Sequence, residues 1–139
     1  MGKGLLLDTC AVIWMSRHED VSKEEAMNAI NYAEQDGTKV LVSPVTAWEM
    51  GMLLARRRIA ETKTAQEWYR GFMETAGFDE APVTADIFMA SCELPHLSHK
   101  DPIDRILIAT AREHDLTIIT RDQAILAYGA AGHVRVLAC

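Results

Sequence analysis

Several things this sequence lacks narrow it before anything it contains. No apolar run approaches the roughly 20 residues needed to span a bilayer, so no membrane role is expected. Met1-Gly2-Lys3-Gly4 leads straight into a strand-like run with no apolar signal segment. Cysteine is scarce and odd in number. Cys10, Cys92 and Cys139 have no zinc-ligand spacing, which excludes a disulfide framework and fits reduced thiols in the cytoplasm. Positive charge is short as well: 14 Lys and Arg against 20 Asp and Glu give a net charge of −6. A general electrostatic grip on nucleic acid usually takes a basic surface, so any nucleic acid here must be held locally or through metal ions. There are no internal repeats and no linker.

What is present reads as one domain over residues 1–139. A chain of about this length buries roughly 68–70% of its unfolded surface, enough for a core without staples. Hydrophobic residues make up 49% and charged residues 24%, an ordinary globular balance.

The stretch Asp101 to Asp122 organises the rest. Asp101 stands where an N-cap belongs, Pro102 fits the first helical position, and Asp104 then falls at N3. Ile103 to Ala111 is almost wholly apolar, the mark of a helix buried against a sheet. His114-Asp115-Leu116 closes it, and Thr117-Ile118-Ile119-Thr120 is β-branched enough for a strand, with Asp122 just beyond. Upstream, Gly4 to Leu7 reads as a strand tipped by Asp8, and Thr9 to Met15 as a short apolar helix. Ser22-Lys23-Glu24-Glu25 is a capping box for a helix to about Gln35, stopped by Asp36-Gly37. Lys39 to Ser43 is a second strand. Pro44 starts a helix whose shared face is expected to carry Val45, Trp48, Met52 and Ala55, and which ends in Arg56-Arg57-Arg58. Thr64 to Ala76 is amphipathic and stops at Gly77. Glu80 to Thr84 is a brief edge strand at most, and Thr84 caps a helix to about Leu94. A mostly polar loop follows Pro95, and Gln123 to Tyr128 and Val134 to Leu137 finish as a short helix and a last strand. Strands alternating with helices predict an α/β fold, a three-layer α/β/α sandwich on a central parallel sheet.

That topology brings strand C-termini to one edge, and with them Asp8, Glu49, Asp104 and Asp122. Each acid has an ordinary explanation when taken singly. Thr46 to Glu49 could be a capping box, Asp104 could answer the helix dipole, and Asp122 could be an N-cap. Asp8 resists this, since an acid after three leucines is partly desolvated and has no adjacent cation. Four carboxylates at one edge repel one another, and a divalent cation relieves that cost. Oxygen-only donors suit Mg²⁺ or Mn²⁺, and such an ion suits phosphodiester hydrolysis.

Four blocks in this order, Leu5-Leu6-Leu7-Asp8-Thr9, Ser43 to Glu49, His99 to Ala109 and Ile119-Thr120-Arg121-Asp122, resemble the PIN domain, and within it the VapC toxins of bacterial toxin–antitoxin pairs. The resemblance runs from Leu5 to about Leu137. It implies a PIN-like fold and a small Mg²⁺- or Mn²⁺-dependent endoribonuclease that hydrolyses RNA. It also implies a homodimer, neutralised by a VapB-type antitoxin. Carried over by position, the catalytic and metal-binding quartet is Asp8, Glu49, Asp104 and Asp122. Asp8 and Asp104 are then direct ligands, while Glu49 and Asp122 hold metal-bound waters or a second ion. In-line attack by activated water leaves a 5′-phosphate. Asp101 belongs to the same motif, with N-cap as its preferred role.

Thr9, Thr120 and Arg105 are candidate substrate contacts, weighed against helix capping for the threonines and a surface ion pair with Asp104 for Arg105. His99, within the same motif as Asp101, is weighed as a substrate contact against an exposed loop histidine, the preferred reading. Arg56 to Arg58 either complement a helix dipole or touch RNA or an acidic partner segment. Trp14, Met15, Trp48, Met50 and Met52 pack a core or line a groove for an antitoxin helix or a second copy. The alternative function is a catalytically silent PIN-like module acting through a protein partner. A phosphoacceptor signalling domain fits poorly, because the acids stand at helix starts. A metal phosphohydrolase acting on a small molecule is set aside only by the resemblance.

Overall fold

A computed structural model describes residues 3–17 and 24–139. The elements in chain order are β1 (Gly4–Leu7), α1 (Thr9–Ser16), α2 (Glu24–Asp36), β2 (Lys39–Val42), α3 (Pro44–Ala55) and α4 (Ala65–Ala76). They continue with β3 (Asp79–Glu80), α5 (Ala85–Cys92), α6 (Pro102–His114), β4 (Leu116–Thr120), α7 (Gln123–Ala130) and β5 (Arg135–Ala138). The five strands form one sheet in the order β3-β2-β1-β4-β5, and every pairing is parallel.

The alternation within strands decides the layers. Leu6 and Leu7 on β1 are both fully buried, yet they enter two different cores because successive side chains point to opposite faces. Leu6 and Ile118 pack with Ile87 of α5, Ile106 to Ile108 of α6 and Ile125 of α7. Leu7, Val42 and Ile119 pack with Val12 of α1, Ile30 of α2 and Trp68 and Met73 of α4. The expected three-layer sandwich is therefore present, with its sheet buried on both sides. A strand order that runs outward from β1 to β3 and then reverses to β4 opens a crevice between β1 and β4 at their C-terminal ends. Leu7 is in register with Val42 on one side and Ile119 on the other, so the chain leaves all three strands at the same height.

Capping chemistry fixes where the helices begin. Asp101 accepts from the Ile103 amide with Pro102 in the first turn, as expected, and Asp104 stands at N3. Thr64 and Glu67 make a reciprocal capping box, and Gly77 closes α4 in the left-handed conformation at φ 70°. Thr84 caps α5. Ser43 rather than Thr46 caps α3, so Thr46-Ala47-Trp48-Glu49 is not a capping box, and β2 stops at Val42. Ser22, the first residue of the other expected box, lies outside the described residues.

Some boundaries differ from expectation. The edge strand is Asp79–Glu80, because only Asp79 and Glu80 reach the β2 ladder. Helix α5 ends at Cys92, two residues early, and β5 sits one residue later than Val134 to Leu137. The larger difference is on α3. Its buried residues are Val45, Thr46 and Met50, while Trp48 is 56% exposed and Ala55 is exposed. The helix is apolar all round, so its periodicity could not select the inner face. The three arginines follow its last turn; all are exposed, and Arg57 takes φ 52°.

Candidate functional site

The site begins where β1 ends. The Asp8 amide continues the ladder to the Ile119 carbonyl at 3.0 Å. Its carboxylate then caps α1, accepting from the Thr9 amide at 2.6 Å on Oδ1. Oδ2 accepts from the Thr120 hydroxyl at 2.6 Å and from the Cys10 thiol at 3.4 Å. Asp8 is buried, and no cation pairs with it among the described residues. Burial pushes its carboxyl above the ordinary value, and the bonds from Thr120, Cys10 and Thr9 pull back only in part.

Thr120 holds two acids in place. Its hydroxyl donates to Asp8 and accepts from the Asp122 amide at 2.9 Å. Asp122 in turn caps α7, accepting from the Ile125 amide at 2.9 Å. Thr9, also buried, lies 3.0 Å from the Thr46 hydroxyl, and its hydroxyl bonds Glu49. Glu49 is half-buried in the second turn of α3. Burial raises its carboxyl, the bond from Thr9 lowers it, and the charges of Asp8 and Asp101 raise it further.

Asp104 is buried at the start of α6. Its Oδ2 lies 2.7 Å from His99 Nε2. Burial lifts the Asp104 carboxyl to about 7 even though His99 works against the shift, and Asp8, Asp101 and Asp122 add to it. The His99 ring is raised in turn, chiefly by its bond to Asp104. His99 is thus not the exposed loop residue expected. His99 and Asp104 share the block His99 to Ala109, but nothing in their five-residue spacing predicts that the two side chains bond.

Arg105 differs from expectation too. It makes no ion pair with Asp104. Its Nε donates to the Ser91 carbonyl at 2.7 Å, and Nη1 donates to the Leu97 and His99 carbonyls at 3.2 and 2.9 Å. The side chain reaches from α6 to Ser91 of α5 and clamps the loop that carries His99.

The structure brings together the acids that the sequence placed at one edge. Asp8, Glu49, Asp101, Asp104 and Asp122 line a single cleft of about 330 Å³, with Thr9, Cys10 and Arg121. Donor atoms of His99, Asp101 and Asp104 lie within 4.8 Å of one another. Arg121 was given no role from the sequence, although it stands in the last of the four blocks; its guanidinium carbon sits 3.1 Å from the centre of the Trp14 ring. Met50 is wholly in the core, and Met15 and Met52 are half-buried. No helix among the described residues is long and apolar enough to cross a membrane.

The fold and cleft together define a class: an α/β protein with carboxylates gathered where the strands of a parallel sheet end. The PIN domain family model matches residues 5–130, and the chain belongs to that family. It is 26% identical over 124 residues to Ribonuclease VapC22 of Mycobacterium tuberculosis, covering 87% of this chain and 88% of that protein. Among solved structures it is similar to VapBC2 from Rickettsia felis bound to a DNA fragment from their promoter. The TM-score is 0.70 at 13% identity, over 96% of this chain and 97% of the other. It is also similar to the toxin–antitoxin system VapBC-5 of Mycobacterium tuberculosis, with a TM-score of 0.62 at 20% identity over 99% of both chains. At these identities the two structures speak for the fold.

Proposed function

We propose that this chain is a divalent-metal-dependent endoribonuclease of the VapC kind, a cytoplasmic toxin restrained by a VapB-type antitoxin and working as a homodimer of one-domain chains. The observation that carries the reading is the meeting of Asp8, Glu49, Asp104 and Asp122 in one cleft from separate strand ends and helix starts. Helix capping accounts for part of what Asp8, Asp101 and Asp122 do. It does not account for Glu49, which caps nothing, or for Asp104, which is turned to His99. Family membership and the likeness to a ribonuclease support the reaction class. The partner is supported by the toxin–antitoxin assemblies named for the similar structures.

The residues present fit a hard divalent cation. The donors are carboxylate oxygens; Asp8 and Asp104 are buried and raised, and neither pairs with a lysine or arginine among the described residues. That is the electrostatic condition a Mg²⁺ or Mn²⁺ ion relieves. Asp8 and Asp104 would hold it, with Glu49 and Asp122 beside them. When bound, such an ion activates water and offsets charge on the phosphodiester oxygens. The chain's own part is orientation. Thr120 fixes Asp8 Oδ2, His99 fixes Asp104 Oδ2, and Thr9 steadies Glu49. Glu49 and Asp122 would hold waters of that ion or a second ion, and one of the two would orient the attacking water. Arg105 serves the substrate only indirectly, through the loop that it clamps.

The test compares wild type with Asp8→Asn and Asp104→Asn on total RNA, with Mn²⁺ or Mg²⁺ and then with EDTA. Discrete cleavage that needs metal and disappears in both variants is expected, with 5′-phosphate ends. RNA left intact by folded wild type with metal, together with antitoxin binding that all three proteins share, would favour the silent binding module instead.

A further inference from the structure

Arg121 is the only lysine or arginine lining the acid cleft among the described residues. It stands between Thr120, which positions Asp8, and Asp122, which caps α7. Five carboxylates line the same cleft, yet no carboxylate lies within ion-pair distance of Arg121 among the described residues. Its guanidinium instead lies over the ring of half-buried Trp14 on α1, with the guanidinium carbon 3.1 Å from the ring centre. Arginine stacks on aromatic faces in this way while keeping its N–H fork free for a planar or tetrahedral anion. The residue is exposed, and although its guanidinium also bonds the Cys139 thiol, whose pKa it pulls down against burial, that contact leaves the rest of the fork for an anion.

A cation in this position cannot serve as a metal ligand, and it would oppose metal binding rather than assist it. Beyond its contacts with Trp14 and Cys139, an anion is the ligand its charge suits. A strand of RNA entering a cleft of five carboxylates meets repulsion along its backbone, and the net charge of −6 offers no general attraction to offset this. One fixed guanidinium at the cleft wall offers a specific contact in place of a basic surface.

We propose that Arg121, supported from below by Trp14, is a phosphate-binding subsite for single-stranded RNA, holding a phosphodiester next to the one at the carboxylates. The proposal rests on the ribonuclease reading. Trp14 is a positioning residue here: it denies Arg121 the conformations that would collapse it onto Asp8 or Asp122.

The test uses the full chain and a fluorescein-labelled single-stranded oligoribonucleotide. Binding is read by anisotropy in EDTA across a salt series, cleavage kinetics with Mn²⁺, and Mn²⁺ affinity by calorimetry. The variants are Arg121→Ala, Arg121→Lys and Trp14→Leu, each checked for an unchanged circular dichroism spectrum. Arg121→Ala is expected to weaken RNA binding about tenfold and to reduce the slope of log K against log salt by about 0.7, the loss of one single-strand phosphate contact. KM should rise while kcat holds, and Mn²⁺ affinity should stay the same or tighten. Arg121→Lys should keep the salt slope and recover part of the affinity. Trp14→Leu should fall between Lys and Ala. An Arg121→Ala protein with wild-type RNA affinity and salt slope overturns the subsite, even if wild type cleaves RNA normally. So does a loss of Mn²⁺ affinity with RNA binding untouched, which would make Arg121 a structural residue. A wild type that neither binds nor cleaves RNA removes the ribonuclease reading and this subsite with it.

Discussion

His99 Nε2 and Asp104 Oδ2 lie 2.7 Å apart, joining a loop residue to the buried acid at the third position of α6. The bond occupies one carboxylate oxygen and leaves the other to the cleft. Arg105, bonded to the His99 carbonyl, keeps the loop where this contact can form. Groups that orient a ligating carboxylate are commonly worth about 10- to 100-fold in metal affinity. His99→Ala should therefore weaken Mn²⁺ binding within that range, as read by calorimetry. His99→Gln, which can still donate to Asp104, should recover most of it. Equal Mn²⁺ affinity in wild type and His99→Ala would show that Asp104 needs no such support.

The same buried acids set a pH dependence of unusual sign. Burial raises Asp104 from 3.8 to about 7 and moves Asp8 and Glu49 in the same direction. A folded state that prefers the protonated carboxyl is favoured below the unfolded value, and that advantage is lost as pH rises through the folded one. His99, raised by Asp104, has the same sign. Metal-free protein should thus melt at a lower temperature near pH 8 than near pH 5.5, with the fall spread over the approach to about 7. Mn²⁺ should raise Tm more at the higher pH, because it replaces the missing protons. Asp104→Asn should flatten the slope and raise the metal-free Tm near pH 8. Differential scanning fluorimetry in EDTA and in Mn²⁺ measures all of this. A metal-free Tm that climbs toward pH 8 would count against carboxylates as the source.

How much of this was legible beforehand follows from the range of the forces involved. Caps, helix stops and strand identity are local, and Asp101, Gly77 and Thr84 act where the sequence placed them, while Thr64, read as the first helical residue, is the cap of α4. The parallel sandwich followed from alternation, and the gathering of four acids followed from the sandwich. What stayed hidden depends on side-chain direction across elements. Trp48 faces outward because an all-round apolar helix carries no directional signal. Arg105 bonds carbonyls six to fourteen residues away, and Arg121, in the connection after β4, crosses to Trp14 on α1. No spacing rule reaches that far.

Stability can be changed without touching the cleft. Thr64 and Glu67 satisfy each other's backbone amides at the start of α4, an exposed box on the side of the molecule that carries Trp68 and Met73. Loss of such a cap costs about 1 kcal/mol. Thr64→Ala should lower the urea midpoint accordingly while cleavage per folded molecule and Mn²⁺ affinity remain as in wild type. A fall in kcat at unchanged Mn²⁺ affinity would mean that α4 is coupled to the cleft in a way that its packing does not indicate.

Thr120→Val separates packing from polarity at the centre of the site. Valine matches threonine in shape and in strand preference, so β4 and its fully buried position should be kept. Two bonds are lost together. Asp8 Oδ2 loses its 2.6 Å donor and retains only the weak Cys10 thiol, and the Asp122 amide loses its acceptor. An unsatisfied buried polar group costs about 1–3 kcal/mol, and here the carboxylate is already opposed by burial. Without the Thr120 bond Asp8 becomes harder to ionise, so Mn²⁺ binding should weaken and require higher pH. Thr120→Ser, which keeps the hydroxyl, should restore the wild-type pH profile while leaving a small packing defect. If Val and Ser variants shift the pH profile alike, the hydroxyl is not what orients Asp8. The rotamer would then be set by the α1 cap alone, through the Thr9 amide.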